Sequence, residues 1–315
     1  MYKGLKKIST VGMSREDWLE HRRNSIGGSD AAAVVGLNKY ASPYSLWADK
    51  RGLLPEKEDS EPMRLGRDLE DYVAQRFTEA TGKRVRRENN IITNPSFPFA
   101  HANVDRLVIG EDAGLECKTT SAMNLKRFRG GEYPANYYVQ CVHYMMVTGA
   151  ARWYLAVLVL GVGFYWFCIE RDEDEIEALR ASEEAFWEYV KTNTPPPVDG
   201  DTATSEAVST VLGGSSPGVS CDVTAYQKDL DLYFEKKAEM DRIKKEKDEI
   251  ENRLKVYMDD AESGESERYF ISYAEQSRRT FDVNRFAGDH PDLDLTDYYK
   301  TTVTRQFRAK IKKGA

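Results

Sequence analysis

The chain is 315 residues long, with 41% apolar and 31% charged residues and a formal charge of −7, proportions of a globular protein with room for a domain of about 150–200 residues and a smaller one. No apolar run reaches the roughly 18 residues of a membrane span, and the opening MYKGLKKIST lacks the apolar core of a secretory signal, so a cytoplasmic protein with no membrane contact is expected. The four cysteines, Cys117, Cys141, Cys168 and Cys221, have no paired spacing, which argues for reduced thiols and against a zinc site or disulfide framework.

Residues 14–24 read as a helix opened by Ser14, with Asp17 three positions on as a capping-box partner and Trp18 and Leu19 on its apolar side. Ile26-Gly27-Gly28-Ser29-Asp30 then leads into an Ala/Val run. Paired glycines before a Ser/Asp cap make a helix start with exposed amides, suited to an anion or simply to an ordinary capped helix. Pro43 to Gly52 is a further helix with Tyr44, Leu46 and Trp47 inward, followed by a charged loop from Leu54 to Glu61. The helix starting near Pro62 carries Leu65, Leu69, Val73 and Phe77 as its buried stripe, and Glu70 leans toward that stripe. A carboxylate there needs a cation or hydrogen bonds to offset its desolvation, and an ion pair with an arginine is one way to supply them.

Val85 to Ile92 and Phe97 to His101 read as strands around the turn Asn94-Pro95-Ser96. They lead to two short apolar runs broken by Gly110, Glu111, Asp112 and Gly114, which read as a β-hairpin. Residues two apart in a strand share a face, so Glu116 and Lys118 project together, Cys117 points away, and Asp105 at the start of the first run can join them. Two carboxylates and an ammonium at a strand end form an oxygen-ligand site suited to Mg²⁺, with the lysine placed to hold or deprotonate a water. A surface hairpin with solvated charges is the plain alternative. A helix after Pro134 sets Gln140 and Tyr144 one turn apart on one face, a polar pair that a buried amphipathic helix can also carry by chance.

Arg152–Val159 and Gly163–Ile169 form a hairpin, and residues 171–190 an acidic helix packing Ile176, Leu179, Phe186 and Val190 inward. Residues 199–222, rich in Gly, Ser, Thr and Ala, read as a flexible linker. Residues 224–261 read as a long, partly solvated helix whose apolar seam is interrupted by Lys237, Lys244 and Lys247; Arg268–Tyr273, Arg279–Val283 and Thr301–Ile311 alternate like three strands. A protein that coats nucleic acid is usually basic overall. This one gathers its basic residues in clusters instead: His21 to Arg23, Lys83-Arg84 with Arg86-Arg87, Lys126-Arg127 with Arg129, and Arg305 to Lys313. Such patches suffice to contact phosphates.

The Asp105…Glu116-Cys117-Lys118 string resembles the PD-(D/E)XK nuclease superfamily, although Val104 stands where the proline of the name would be. Trp18–Gly36, Leu65–Phe77 and Val139–Gly149 narrow the resemblance to YqaJ-like phage recombination exonucleases, relatives of lambda exonuclease. The resemblance implies an α/β (α+β) fold with a restriction-endonuclease-like core, a mixed central β-sheet flanked by helices, to which the residues beyond it add a C-terminal long helix and small β appendage. The blocks that carry the resemblance span about residues 15–170, and with the composition shifts beyond them the chain reads as a nuclease domain over 1–198, the linker over 199–222 and an accessory region over 223–315. The resemblance implies Mg²⁺, with Mn²⁺ able to substitute, held by Asp105, Glu116, the Cys117 carbonyl and Glu70 directly or through water. Lys118 would then activate water, Gln140 and Tyr144 would orient ligands and the DNA end, and Arg22 with Ser29 would bind the 5′-phosphate. The implied activity is degradation of one strand of linear duplex DNA from its 5′ end, leaving a 3′ overhang. A single-strand annealing protein or a homo-oligomeric ring would be the partners, all in the bacterial cytoplasm. A structure-dependent endonuclease or nickase on the same core, and a non-catalytic DNA-end adaptor, are the competing expectations.

Overall fold

The structure is a computed structural model that describes residues 1–56, 59–301 and 305–311. Lys57 and Glu58 of the expected charged loop, Thr302 to Thr304 of the last expected strand, and Lys312 and Lys313 of the last basic cluster lie outside the described residues. The chain divides into two units, Met1–Gly213 and Gly214–Ala315.

The first unit runs β1 (Lys6–Ser9), α1 (Arg15–Arg23), α2 (Gly28–Val34), α3 (Pro43–Lys50), α4 (Glu61–Thr81), β2 (Val85–Arg87), β3 (Asn90–Thr93), β4 (His101–Asn103), β5 (Arg106–Val108) and β6 (Ala113–Thr120). After a 3₁₀ segment, Ala122–Gly131, come α5 (Ala135–Thr148), β7 (Arg152–Val159), β8 (Gly163–Glu170), α6 (Glu173–Thr192) and α7 (Thr202–Leu212). Five strands form a mixed sheet in the order β2-β5-β6-β7-β8, and β1-β3-β4 form a second, antiparallel one. β6 is central: it pairs antiparallel with β5 and parallel with β7, with Glu116 beside Leu155 and Lys118 beside Val157. Parallel neighbours need a crossover, and α5 supplies it.

Strand alternation sorts the side chains of β6 and β7 onto two faces. Leu115, Tyr154 and Ala156 pack with Val73 and Phe77 of α4. Leu155 and Val157 on the other face join the larger core, which includes Cys141, Met145 and Met146 of α5. The fold is therefore mixed α/β, a mixed central sheet flanked by helices. A buried polar tie crosses the larger core: His143 Nδ1 lies 2.7 Å from Glu183 Oε1, and His143 Nε2 lies 2.8 Å from the His101 carbonyl.

Several local expectations are corrected. Residues 85–92 split into β2 and β3 in different sheets, because the buried Glu88 between them turns inward to Lys7 and Arg86 at 2.9 Å each. Phe97 to Ala100 is not a strand: the Asn94 turn continues through Phe97, and the Phe99 carbonyl and His101 amide bond Ile26 at 2.8 and 2.9 Å. Residues 199–222 are not flexible throughout, since α7 lies within them and the first unit runs on to Gly213. Its small residues bury: Thr204 is 2% exposed and donates to Ser42 Oγ at 2.6 Å, while Ala207, Val208 and Val211 join the core.

The second unit contains α8 (Gln227–Met258), then β9 (Ser263–Glu265) paired with β10 (Phe270–Ser272), and α9 (Val283–Asp289). α8 is the expected solvated helix, laced with pairs one turn apart such as Lys247–Glu251 at 2.9 Å. Among the described residues Arg279 to Val283 and Arg305 to Ile311 hold no strand. Asp282 caps α9 instead, accepting from the Arg285 amide at 2.9 Å.

Gly114 sits mid-strand where a Cβ would lie 2.2 Å from the Trp153 ring. Gly114→Ala must therefore displace a fully buried indole, an overpacking cost of about 1–3 kcal/mol. Thermal unfolding should show a drop of roughly 2–4 °C per kcal/mol, and an unchanged melting temperature would mean the β6–β7 contact is looser than described.

Candidate active site

The site is built where β6 outruns β5. The β5–β6 ladder ends at the Arg106–Leu115 pair, and two residues on the Cys117 amide donates to Asp105 Oδ2 at 2.7 Å in place of a strand neighbour. The hairpin thus brings Asp105 against β6 beside Glu116 and Lys118, as its sequence suggests. Arg106, next in sequence, turns under the loop and donates to the Asp105 carbonyl at 2.6 Å and to Asp71 at 2.6 Å.

Glu116 is 3% exposed. Its Oε1 meets the Lys118 ammonium at 2.5 Å and the Gln140 Nε2 at 2.8 Å. The Gln140 amide is fully used: Nε2 also donates to Tyr144 Oη at 2.8 Å, and Oε1 accepts from Lys118 at 2.9 Å. The Lys118 ammonium also lies 5.3 Å from the Tyr137 ring centroid, within cation–π range. One turn of α5 therefore fixes both β6 side chains. The other oxygen, Glu116 Oε2, is buried with no protein partner.

The electrostatics follow from crowding carboxylates in a buried place. Burial pushes the Asp105 carboxyl well above its ordinary value, and the nearby Glu116 and Glu70 carboxylates push it further. Burial works to lower the Lys118 ammonium, but Glu116 and Asp105 outweigh it and hold it above its ordinary value. Burial, then Glu116 and Asp105, raise the Tyr144 phenol. The cluster has an excess of negative charge and one orphaned carboxylate oxygen. Both features suit a hard cation held by two carboxylates, a main-chain carbonyl and water. Among the described residues no set of three or more His, Cys, Asp and Glu groups stands ready to hold a metal ion. Asp105 and Glu116 would be its side-chain ligands, with the Cys117 carbonyl at hand.

Glu70 is half-buried on α4 and its Oε1 accepts from the Arg106 Nη1. The arginine ion pair read as the alternative for this residue is the arrangement present, and Glu70 acts on Asp105 through its charge. Arg106 was missed by sequence reasoning. Its signal is a lone guanidinium in the run Val104 to Val108, 4% exposed and so obliged to find anions.

A second cluster lies at the α1–α2 junction. Arg22 Nη2 reaches Ser29 Oγ at 3.4 Å and Asp30 Oδ1 at 3.2 Å, and its guanidinium lies 5.0 Å from the Trp18 ring. Ser29 is exposed, and Gly27 rather than Ser29 caps α2; the Asp30 carboxylate reaches back to the Gly27 amide at 3.0 Å. Burial opposes the Asp30 charge, but Lys50 and Arg22 outweigh it and hold the carboxyl well below its usual range. His101 stays neutral, driven down to about 3 by burial and by Lys50. The two clusters touch through Gly28, where a Cβ would lie 2.5 Å from the Tyr144 ring and 3.0 Å from its hydroxyl. Gly28 is thus needed for Tyr144 to stand under α2 and meet Gln140.

Comparison with known proteins gives the family of the chain. The family model described as a YqaJ-like viral recombinase domain matches residues 17–151, a span that holds both clusters. The uncharacterized protein YqaJ of Bacillus subtilis is 38% identical over 301 residues, covering 94% of this chain and 93% of the relative. Among solved structures, an alkaline exonuclease from Laribacter hongkongensis has a TM-score of 0.49 at 21% identity, over 57% of this chain and 94% of its own. A phage-related exonuclease from Haemophilus somnus has a TM-score of 0.41 at 10% identity, over 54% and 96%. No helix among the described residues is long and apolar enough to cross a membrane. With near-complete coverage by a relative of this identity, the chain belongs to the YqaJ-like viral recombinase family.

Proposed function

We propose that this protein is a Mg²⁺-dependent DNA exonuclease that degrades one strand of a duplex from its 5′ end and leaves a 3′ overhang for recombination. The observation that carries the reading is the buried Glu116, tied to Lys118 and Gln140 through one oxygen and free at the other, beside an Asp105 whose carboxyl it pushes up. Burying that much like charge has a cost that a bound cation would offset. Asp105, Glu116 and the Cys117 carbonyl would hold Mg²⁺, or Mn²⁺ in its place, with Glu70 adding negative charge or a water-mediated contact. When bound, the ion supplies a Lewis acid for the phosphodiester and lowers the pKa of a coordinated water.

The chain's own residues do the rest. Lys118, held as an ammonium, donates to the attacking water or to a phosphoryl oxygen on the same side as Glu116. Gln140 keeps Glu116 and Lys118 in one orientation, and Tyr144 keeps Gln140 from turning. Arg22 and Ser29 receive the terminal 5′-phosphate. A charge of about −1.5 to −2 near neutral pH distinguishes such a phosphate from an internal diester, which carries one negative charge. That arrangement favours an exonuclease over a nickase, which has no use for an end pocket. The test is digestion of an end-labelled linear duplex and a matched closed circle, with and without Mg²⁺. Cleavage of the circle at a comparable rate would give the endonuclease reading instead, and no cleavage of either would leave an end-binding adaptor. The second unit, with its long solvated helix, is the segment we assign to a partner such as an annealing protein or to ring assembly.

Two variants test the assignments. Glu116→Gln should lower the cleavage rate by at least about 100-fold, the scale of losing one pre-organised electrostatic element. The fold should survive, since the amide keeps the shape and removes a buried charge. Wild-type turnover at an unchanged melting temperature would remove Glu116 from the chemistry. Arg22→Ala should slow digestion of 5′-phosphorylated duplex by about 10- to 150-fold, the equivalent of one charge-assisted hydrogen bond, and barely change digestion of 5′-hydroxyl duplex. Equal losses on both substrates would show that Arg22 serves general binding or folding.

A further inference from the structure

Lys50 lies at the end of α3, 6% exposed as a residue and 1% exposed in its side chain. Its ammonium donates to three oxygens: Asp30 Oδ2 at 2.7 Å, the Ser25 carbonyl at 2.8 Å and the Arg22 carbonyl at 2.5 Å. An ammonium has three protons, so it is satisfied. Asp30 is therefore shared. Its Oδ2 takes Lys50 at 2.7 Å, while Oδ1 takes Arg22 at the longer 3.2 Å. One carboxylate stands between two cations, and the sum is one positive charge. His101, neutral beside Lys50, does not change that sum. The members differ in access: the side chains of Lys50 and Asp30 are 1% and 7% exposed, whereas that of Arg22 is 32% exposed. The uncompensated charge can reach a ligand only through Arg22.

We infer that Lys50 is a positioning residue that sets the phosphate affinity of Arg22 without touching substrate, by occupying Asp30 and so preventing that carboxylate from neutralising the guanidinium. Without Lys50, the buried Asp30 would have Arg22 as its one cation. A carboxylate and a guanidinium then close into a bidentate pair, and the outward-facing charge is lost. Lys50 also grips the Arg22 and Ser25 carbonyls, so the backbone that carries the guanidinium is held by the same ammonium. The inference deepens the reading that Arg22 receives a terminal phosphate, and rests on it.

The test is a charge cycle on the full-length chain. The readout is binding in EDTA, by fluorescence anisotropy, of duplexes that differ only in a 5′-phosphoryl or 5′-hydroxyl end, with the melting temperature of each variant recorded. Lys50→Met should reduce the preference for the phosphorylated end by about tenfold or more, approaching Arg22→Ala. The double variant Lys50→Met/Asp30→Asn removes both buried charges, frees Arg22 again and should restore most of the preference. A purely structural Lys50 predicts the opposite, because the double variant loses the staple as well. Should Lys50→Met alone not fold, Asp30→Asn carries the same test with reversed sign, since two cations without their carboxylate should raise the preference above wild type. An unchanged preference in Lys50→Met, a double variant as poor as the single one, or no rise in Asp30→Asn overturns the inference while the Arg22 reading stands. If Arg22→Ala itself leaves the preference intact, that reading falls and this inference with it.

Discussion

Everything in the candidate site depends on one buried carboxylate being partnered and oriented inside the protein. Glu116 sits on the central strand of the mixed sheet, away from bulk water, and a group in that position is tolerated only when its charge is met. Lys118 and Gln140 meet one oxygen. The geometry that permits this is set by two periodicities: two residues along β6 bring Glu116 and Lys118 to one face, and one turn of α5 brings Gln140 and Tyr144 to meet them. The parallel β6–β7 pairing requires a helical crossover, and the crossover is the helix that carries the polar pair. Fold and site are thus the same constraint seen at two scales.

The junction between α1 and α2 repeats the logic with the opposite sign. There a single buried carboxylate, Asp30, organises two cations, and the surplus is positive and faces out. The two clusters lie on either side of Gly28 and Tyr144, which pack so closely that no side chain fits on the glycine. A locally negative cluster and a locally positive one in close contact are compatible with the proposed substrate, a polyanion cut with the help of a metal. The overall charge of −7 is compatible with this. Local surplus rather than net charge decides where a phosphate settles, since exposed charges more than about 10 Å away are largely screened.

Much of this was legible in the chain because the relevant signals are local. The Asp105 to Lys118 hairpin, the shared face of Glu116 and Lys118 and the Gln140/Tyr144 turn each follow from spacing alone, as do the helices at Pro43 and near Pro62 and the β7–β8 hairpin. The misses have a common cause in long-range burial. Lys50 looks like an ordinary last-turn helix lysine until Asp30, twenty positions away, is seen beside it. Arg106 hides in a strand, and Glu88 interrupts one, because ion pairs across the fold outweigh local β preference. The Thr/Ala/Val stretch of α7 reads as a flexible connector because small residues have little apolar signal of their own. They form a helix because α3 and the core offer a surface on which small side chains pack closely.

The same contrast explains why the two units differ in what they disclose. The first unit spends its unusual residues on burial: Asp30, Lys50, Glu88, Arg106, Glu116 and Glu183 are charged-type side chains inside a protein, and each is tied to a specific partner. Such groups restrict what a sequence can be, so they carry information about chemistry. α8 holds its charges in water, in pairs one turn apart that contribute only a few tenths of a kcal/mol each. Many sequences satisfy that condition equally well. Chemistry is therefore more readable from the first unit, where burial leaves few alternatives, than from α8, where many sequences would serve.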